Sequence, residues 1–216
     1  AGKCLEWVKD HLALDEIGVY LEKRDVTGGQ EAVYASLYDY LTETVEQTAP
    51  GAGGVLFTPW LHGNRCPFED PAAAGMFFNI RLDTGKRQML RAVLEGVCFH
   101  LRWMLECQAR KTAVSDPVRF VGGGALSPVT AQILADVIGR RVQTVASPQN
   151  AGSVGAAAVM AVGLGAAADL DEAAALVPAD RTYAPNPAHR AVYDRNYAVF
   201  RRLYAANRAH FRALNG

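Results

Sequence analysis

The chain has 216 residues, half of them hydrophobic, and its 22 Lys and Arg balance 22 Asp and Glu. That length carries one large or two small domains with a sizeable core. The even charge excludes a broad electrostatic pull toward nucleic acid or acidic membranes, and no apolar run reaches membrane-spanning length.

The start, from Ala1 to Glu6, is not a signal peptide and lacks an initiator Met; it reads as a cut rather than a native beginning. Residues 3–13 carry an amphipathic helix pattern on Cys4, Leu5, Trp7, Val8, His11 and Leu12. A mixed segment from Gly18 to Gly29 follows. A helix is then predicted from Gln30 to Gln47, with Val33, Leu37, Leu41 and Val45 on one stripe. After a turn at residues 50–54, Val55 to Phe57 reads as a short buried strand. A Pro- and Gly-punctuated loop, Thr58 to Pro71, precedes a second strand candidate at residues 75–80. Two readings of Arg65 stand open. It faces a cleft, or it pins the loop through a bidentate pair with Asp70.

From Lys86 to about Lys111 runs the longest predicted helix, with one wide face of Leu90, Val93, Leu94, Val97, Leu101, Met104 and Leu105. Glu95 sits among apolar residues, which reads as a buried acid with a partner, or as an interior cap or an ion pair with Arg91 or Arg102. Cys4, Cys66, Cys98 and Cys107 read as reduced core thiols of a cytoplasmic protein. A metal site assembled from His62, Cys66, Cys98 and His100 lacks any Cys-x-x-Cys or His-x-x-x-His frame.

The stretch from Val118 to Val145 organises the chain. An apolar strand runs into Gly122, Gly123 and Gly124, which let the backbone turn sharply and leave room for a ligand. Ser127 suits the cap of the next helix and Pro128 its first turn. Apolar positions recur to Ile138, Gly139 ends the run, and Arg141 to Val145 is a second strand candidate. This β–turn–α–β unit is a natural seat for a phosphate or nucleoside. A dinucleotide fold would place an acid at the end of the second strand for the ribose. Residues 141–147 hold none, and no Walker Gly-Lys-Ser or Gly-Lys-Thr occurs. Beyond it, residues 150–165 read as a small-residue helix able to lie close against a neighbour. Leu170 to Val177 forms a short helix and residues 183–187 a turn. The last helix bears an aromatic stripe of Tyr193, Tyr197, Phe200, Tyr204 and Phe211, a core or docking face.

The glycine turn, with the helix from Gln132 through Ala135 and Asp136 to Gly139, resembles the adenosine motif of the FGGY carbohydrate kinases, and the likeness is greatest to xylulose-kinase-like members. Residues 59–75 resemble that family's Pro-Tyr-Leu-x-Gly-Glu-Arg segment, with Trp60 for the usual Tyr, Asn64 for Glu and Ala74 for Arg. Residues 75–95 resemble its second pattern through Ala92 and Glu95, with Asn79 where Gly is usual. Gly155, Ala156, Ala157 and Ala161 match its Ala-rich helix. The resemblance implies a ribonuclease-H-like, actin-like ATPase α/β fold, here a partial C-terminal domain of few strands and many helices spanning residues 1–216. The implied activity is ATP-dependent phosphorylation of a sugar or polyol hydroxyl, on a ketopentose such as xylulose. Gly122, Gly123 and Gly124 would approach the α-phosphate and ribose. Leu126, Ser127 and Pro128 would line the adenine side. Gln132 reaches the base edge or faces the core, and Asp136 is structural. The family's base, its Asp-x-Gly-Thr loop and its Gly-Thr-Ser loop lie upstream, so no catalytic or metal residue is assigned and Mg²⁺ would be held mainly by the other half. Expected partners are the sugar, an N-terminal kinase domain and a second copy in a homodimer, since an open sheet edge and an exposed apolar face favour association. The alternatives are a non-catalytic docking module and another nucleotide-binding α/β enzyme.

Overall fold

A computed structural model describes residues 37–175 and 177–216, together with Cys4 and Trp7. The elements expected at 3–13 and 18–29, and the first part of the helix expected from Gln30, lie outside those residues. The order is α1 (Leu37–Glu46), β1 (Leu56–Thr58), β2 (Met76–Phe78), α2 (Lys86–Ala109), β3 (Val118–Phe120), α3 (Pro128–Ile138), β4 (Val142–Val145), α4 (Ala151–Gly163), α5 (Leu170–Ala175), β5 (Ala179–Tyr183) and α6 (Arg190–Asn215). β1 and β2 form an antiparallel pair, and the second sheet has the order β3-β4-β5, with β3 and β4 parallel. The helix-rich α/β expectation holds.

α2 is the axis of the domain. Every residue from Leu90 to Phe99 is buried, not one wide face only. The reason is that β1, α1, α3 and α6 all pack against it. At Gly96 the helix meets β1 so closely that a Cβ would run into the Phe57 carbonyl. A polar pair inside this enclosed stretch must satisfy itself. Arg91 Nε donates to Glu95 Oε1 at 2.7 Å, and its Nη1 donates to the carbonyls of Val45 and Thr48 at the end of α1. Of the two cations proposed for Glu95, Arg91 is the partner. Arg102 instead donates to Glu106, Asp194 and the Val137 carbonyl, joining α2 to α6 and to the C-terminal end of α3. Burial alone would raise the Asp194 carboxyl, but the bonds from Arg102 and Arg190 hold it below its ordinary range.

The aromatic stripe of α6 is a docking face for the 58–75 loop. Trp60 is buried with Phe200, Tyr204 and Phe211 around it, and Phe68 stacks on Tyr204 at 3.6 Å. The Arg65–Asp70 pair does not form. Arg65 is exposed, while Asp70 is buried and accepts from the Ala72 amide and the Tyr204 hydroxyl. Asn64 closes the loop instead, pairing its backbone with that of Asp70 and donating its amide to the Phe68 carbonyl.

Three other expectations change. The sequence predicts only the turn at residues 183–187, whereas β5 is an edge strand antiparallel to β4. α4 lies against the short helix α5 but has no buried residue, and Val159, Met160 and the adjoining Leu164 are more than half exposed, so its small side chains do not bury it in the described fold. Cys4 and Cys98 are core thiols, but Cys66 is exposed and Cys107 half-buried. Burial pushes the Cys98 thiol far above its usual range. β3 has a free edge within the described sheet.

Candidate nucleotide site

The site forms where β3 and β4 end side by side. Ligands of parallel sheets sit beyond the carboxyl ends of the strands. β3 leads into Gly122 at φ 90°, ψ 179°, a conformation essentially confined to glycine. Its amide donates to the Pro148 carbonyl at 2.8 Å, which ties the turn after β3 to the turn after β4. A 3-10 turn over Gly123–Leu126 follows. Ser127 then caps α3, its Oγ accepting from the Thr130 amide at 3.2 Å, and Pro128 takes the first turn. α3 ends at Gly139 in the left-handed region. The sequence foresaw this whole unit. A Cβ at Gly122 or Gly123 would meet nothing within 4 Å, so there is open space where a ligand can approach the backbone.

Beside the turn lies a cavity of about 420 Å³, within the range of small-molecule sites. Leu126, Pro128, Ala125 and Tyr183 give it apolar walls; Ser147, Gln149, Asp180 and Arg181 bring polar groups. Ser147 sits at φ 50°, a strained position for a residue with a Cβ, of a kind found at functional sites. Leu126 and Pro128 both line this cavity. Ser127 Oγ is occupied by the cap and lies 3.4 Å from Thr42 Oγ1. Gln132 points to neither the cavity nor the core. Its Nε2 donates to Asp136 Oδ1 and to the Ala184 carbonyl. Asp136 is structural. It is buried, accepts from the Asn186 amide and contacts His189 Nδ1 at 2.7 Å, pinning the segment between β5 and α6. Sequence reasoning missed Ser147, Gln149, Asp180, Arg181 and Tyr183. Only the Ser147-Pro148 pair after a strand offered a signal, because β5 is polar and its partner lies far away in sequence.

A second cavity of about 380 Å³ lies at the β1–β2 hairpin. Its polar side chains are already engaged: Asn79 with the Gly54 carbonyl, Asn196 with the Gly51 carbonyl, Arg195 with Asn196, and Arg81 with Asp83. It does not border the N-terminus of α3, as the first does. The described residues contain no group of three His, Cys, Asp or Glu able to hold a metal, and no described helix is long and apolar enough to cross a membrane.

This helix-rich α/β domain, with its parallel strand pair and glycine turn, has the actin-like ATPase fold of the solved kinases it superposes on. The xylulose kinase structure from Lactobacillus acidophilus superposes with a TM-score of 0.81 over 99% of this chain and 39% of that one, at 23% identity. Residues 1–164 match the C-terminal domain of the FGGY family of carbohydrate kinases, and the chain belongs to that family. It is 34% identical over 140 residues to a gluconokinase from Bacillus licheniformis, covering 63% of this chain and 25% of that protein. It is 30% identical over 155 residues to a xylulose kinase from Staphylococcus epidermidis, covering 71% and 31%. The chain thus spans a quarter to a third of the curated relatives it matches.

Proposed function

We propose that this chain is the adenine-nucleotide-binding part of a cytoplasmic, ATP-dependent carbohydrate kinase, whose acceptor is a sugar or polyol hydroxyl, on a ketopentose such as xylulose. The observation that carries the reading is the glycine turn at the N-terminus of α3, opening onto the 420 Å³ cavity. The open space beside Gly122 and Gly123 suits a close backbone approach by the ribose and α-phosphate. Leu126 and Pro128 face the base. The helix N-terminus favours the negative charge of the phosphates.

Phosphoryl transfer also needs a metal ion, phosphate clamps and a base that positions the acceptor hydroxyl. Three of the described acids are committed to the fold. Asp70, Glu95 and Asp136 are each buried and hydrogen-bonded within the fold. The described residues hold no group of three His, Cys, Asp or Glu side chains that could bind a metal ion. By the family resemblance, both functions lie in an N-terminal kinase domain. The free β3 edge and the apolar surface of α4 suit covering by that domain. They equally suit a second copy in a homodimer or a docking role without catalysis.

A coupled ADP-release assay with Mg²⁺, ATP and a panel of pentuloses, hexuloses and polyols tests the reading. The chain alone gives no sugar-dependent turnover, and adding a polypeptide with the Asp-x-Gly-Thr half restores it. Turnover by the chain alone at an ordinary kinase rate of about 1–100 s⁻¹ would refute the division of labour.

A further inference from the structure

We infer that Asp180 holds the ribose hydroxyls of the bound nucleotide. The inference rests on the adenine-nucleotide reading above and refines it. In the dinucleotide-binding Rossmann unit, a different fold with a similar β–turn–α–β start, a carboxylate at the end of the second parallel strand takes the ribose. β4 has no acid at its end; Thr144, Val145, Ala146 and Ser147 occupy it. The fold supplies one from the neighbouring strand.

β5 pairs with β4 through Val142 with Tyr183, Gln143 with Thr182, and Val145 with Ala179. The register slips between Gln143 and Val145, so that Thr144 faces two residues, Asp180 and Arg181. This is a β-bulge, a device that re-aims side chains. In a regular strand Asp180 would point away from the face shared by Arg181 and Tyr183. Here all three border the cavity. The buried Thr144 hydroxyl fixes the bulge. It accepts from the Arg181 amide at 3.3 Å and lies 3.4 Å from both Asp180 Oδ2 and the Arg181 carbonyl. Asp180 Oδ1 takes no hydrogen bond among the described residues and the side chain is exposed.

The chemistry selects the diol. A carboxylate only accepts, so it repels phosphate oxygens and suits a neutral group with donors. A ribose offers two hydroxyl donors side by side. Arg181, next on the strand, keeps the charge of this wall near zero, so the triphosphate is not driven away. The Gly122–Ser127 turn stays free for the phosphate end.

The test is calorimetric titration of the 216-residue chain with the Mg²⁺ complexes of ATP, 2′-deoxy-ATP, 2′,3′-dideoxy-ATP and purine riboside triphosphate, which lacks the adenine amino group. Wild type, Asp180→Asn, Asp180→Ala and Gly123→Val are compared. Wild type should prefer ATP over the dideoxy compound by at least about tenfold, the worth of a single charge-assisted hydrogen bond, since both hydroxyls are lost. Both Asp180 variants should lose that preference, bind the dideoxy compound as wild type does, and melt at the wild-type temperature. Three results would overturn the assignment: a wild type indifferent to the hydroxyls, variants that keep the preference, or variants that lose discrimination against the purine compound instead. Failure of the broader reading looks different, because ATP affinity would then be unchanged in Gly123→Val.

Discussion

Asn79 stands at φ 66° and donates its side-chain amide to the Gly54 carbonyl at 3.1 Å. The family pattern usually has glycine there, so the departure keeps the backbone that glycine would allow. Asn is among the few residues that enter the left-handed region readily, and its amide adds a tie between the turn before β1 and the end of β2. Asn79→Gly should therefore cost less than about 1 kcal/mol. Asn79→Val should cost about 1–3 kcal/mol from backbone strain alone. Urea denaturation of both variants checks the order, and equal losses would contradict it.

The Arg91–Glu95 pair is enclosed by protein on all sides, and Tyr193 Oη and the Gly51 amide also donate to Glu95 Oε1. Breaking one partner leaves a buried charge unpaired. Arg91→Met should destabilise by about 3–5 kcal/mol, and combining it with Glu95→Leu should recover part of that loss. A double-mutant cycle in denaturant reads the coupling. A double variant that loses the sum of the two single losses would mean that the pair is not coupled.

His100 predicts how stability responds to acid. Burial lowers its pKa below the ordinary 6.5, and the hydrogen bond to the Cys66 carbonyl only partly offsets this. Its Nδ1 accepts from Trp60 Nε1 at 3.4 Å, which fits a neutral ring. The unfolded chain then binds the proton more readily than the folded one. The His100 contribution is present above pH 6.5 and is lost as pH falls through 6.5 toward the lowered value. The urea midpoint should drop between pH 7.5 and pH 5.5 by more in wild type than in His100→Gln. Equal drops would assign the acid response to other groups.

Gly122 and Gly123 are adjacent but differ in what they do. Gly122 needs its glycine for the backbone, because φ 90° with ψ 179° is closed to other residues. At Gly123 a side chain would extend into open space, so under the proposed function its glycine serves only the ligand. Gly122→Ala should lower the melting temperature. Gly123→Val should leave it unchanged and weaken Mg²⁺–ATP binding by tenfold or more, about 1.4 kcal/mol. Thermal melts and titrations on the two variants separate these roles; a Gly123→Val chain that binds normally would move the nucleotide elsewhere.

The parts of this account that were legible in the sequence are those with local signals. Ser127, Pro128 and Gly139 mark the two ends of α3 within a dozen residues, and the glycines mark the turn, so that unit was readable residue by residue. The parts that were not legible depend on distant partners. β5 is polar and becomes a strand only because β4 offers an edge. Asp180 and Arg181 reach the cavity through a bulge that no periodicity records. Arg65 and Asp70 are opposite charges in one loop, but Tyr204, more than a hundred residues on, claims Asp70. The small-residue pattern of α4 reveals a helix suited to close packing without revealing what would pack against it.

The central claim is that the turn from Gly122 to Ser127 and the cavity beside it seat an adenine nucleotide. Amide chemical-shift mapping of the 23.3 kDa chain during a Mg²⁺–ATP titration tests this most directly. The account predicts that the largest shifts fall at residues 122–127, 147–149 and 179–183, with those around Gly53, Gly54 and Asn79 unmoved. Largest shifts at the β1–β2 cavity, or no saturable shifts at the glycine turn, would contradict it.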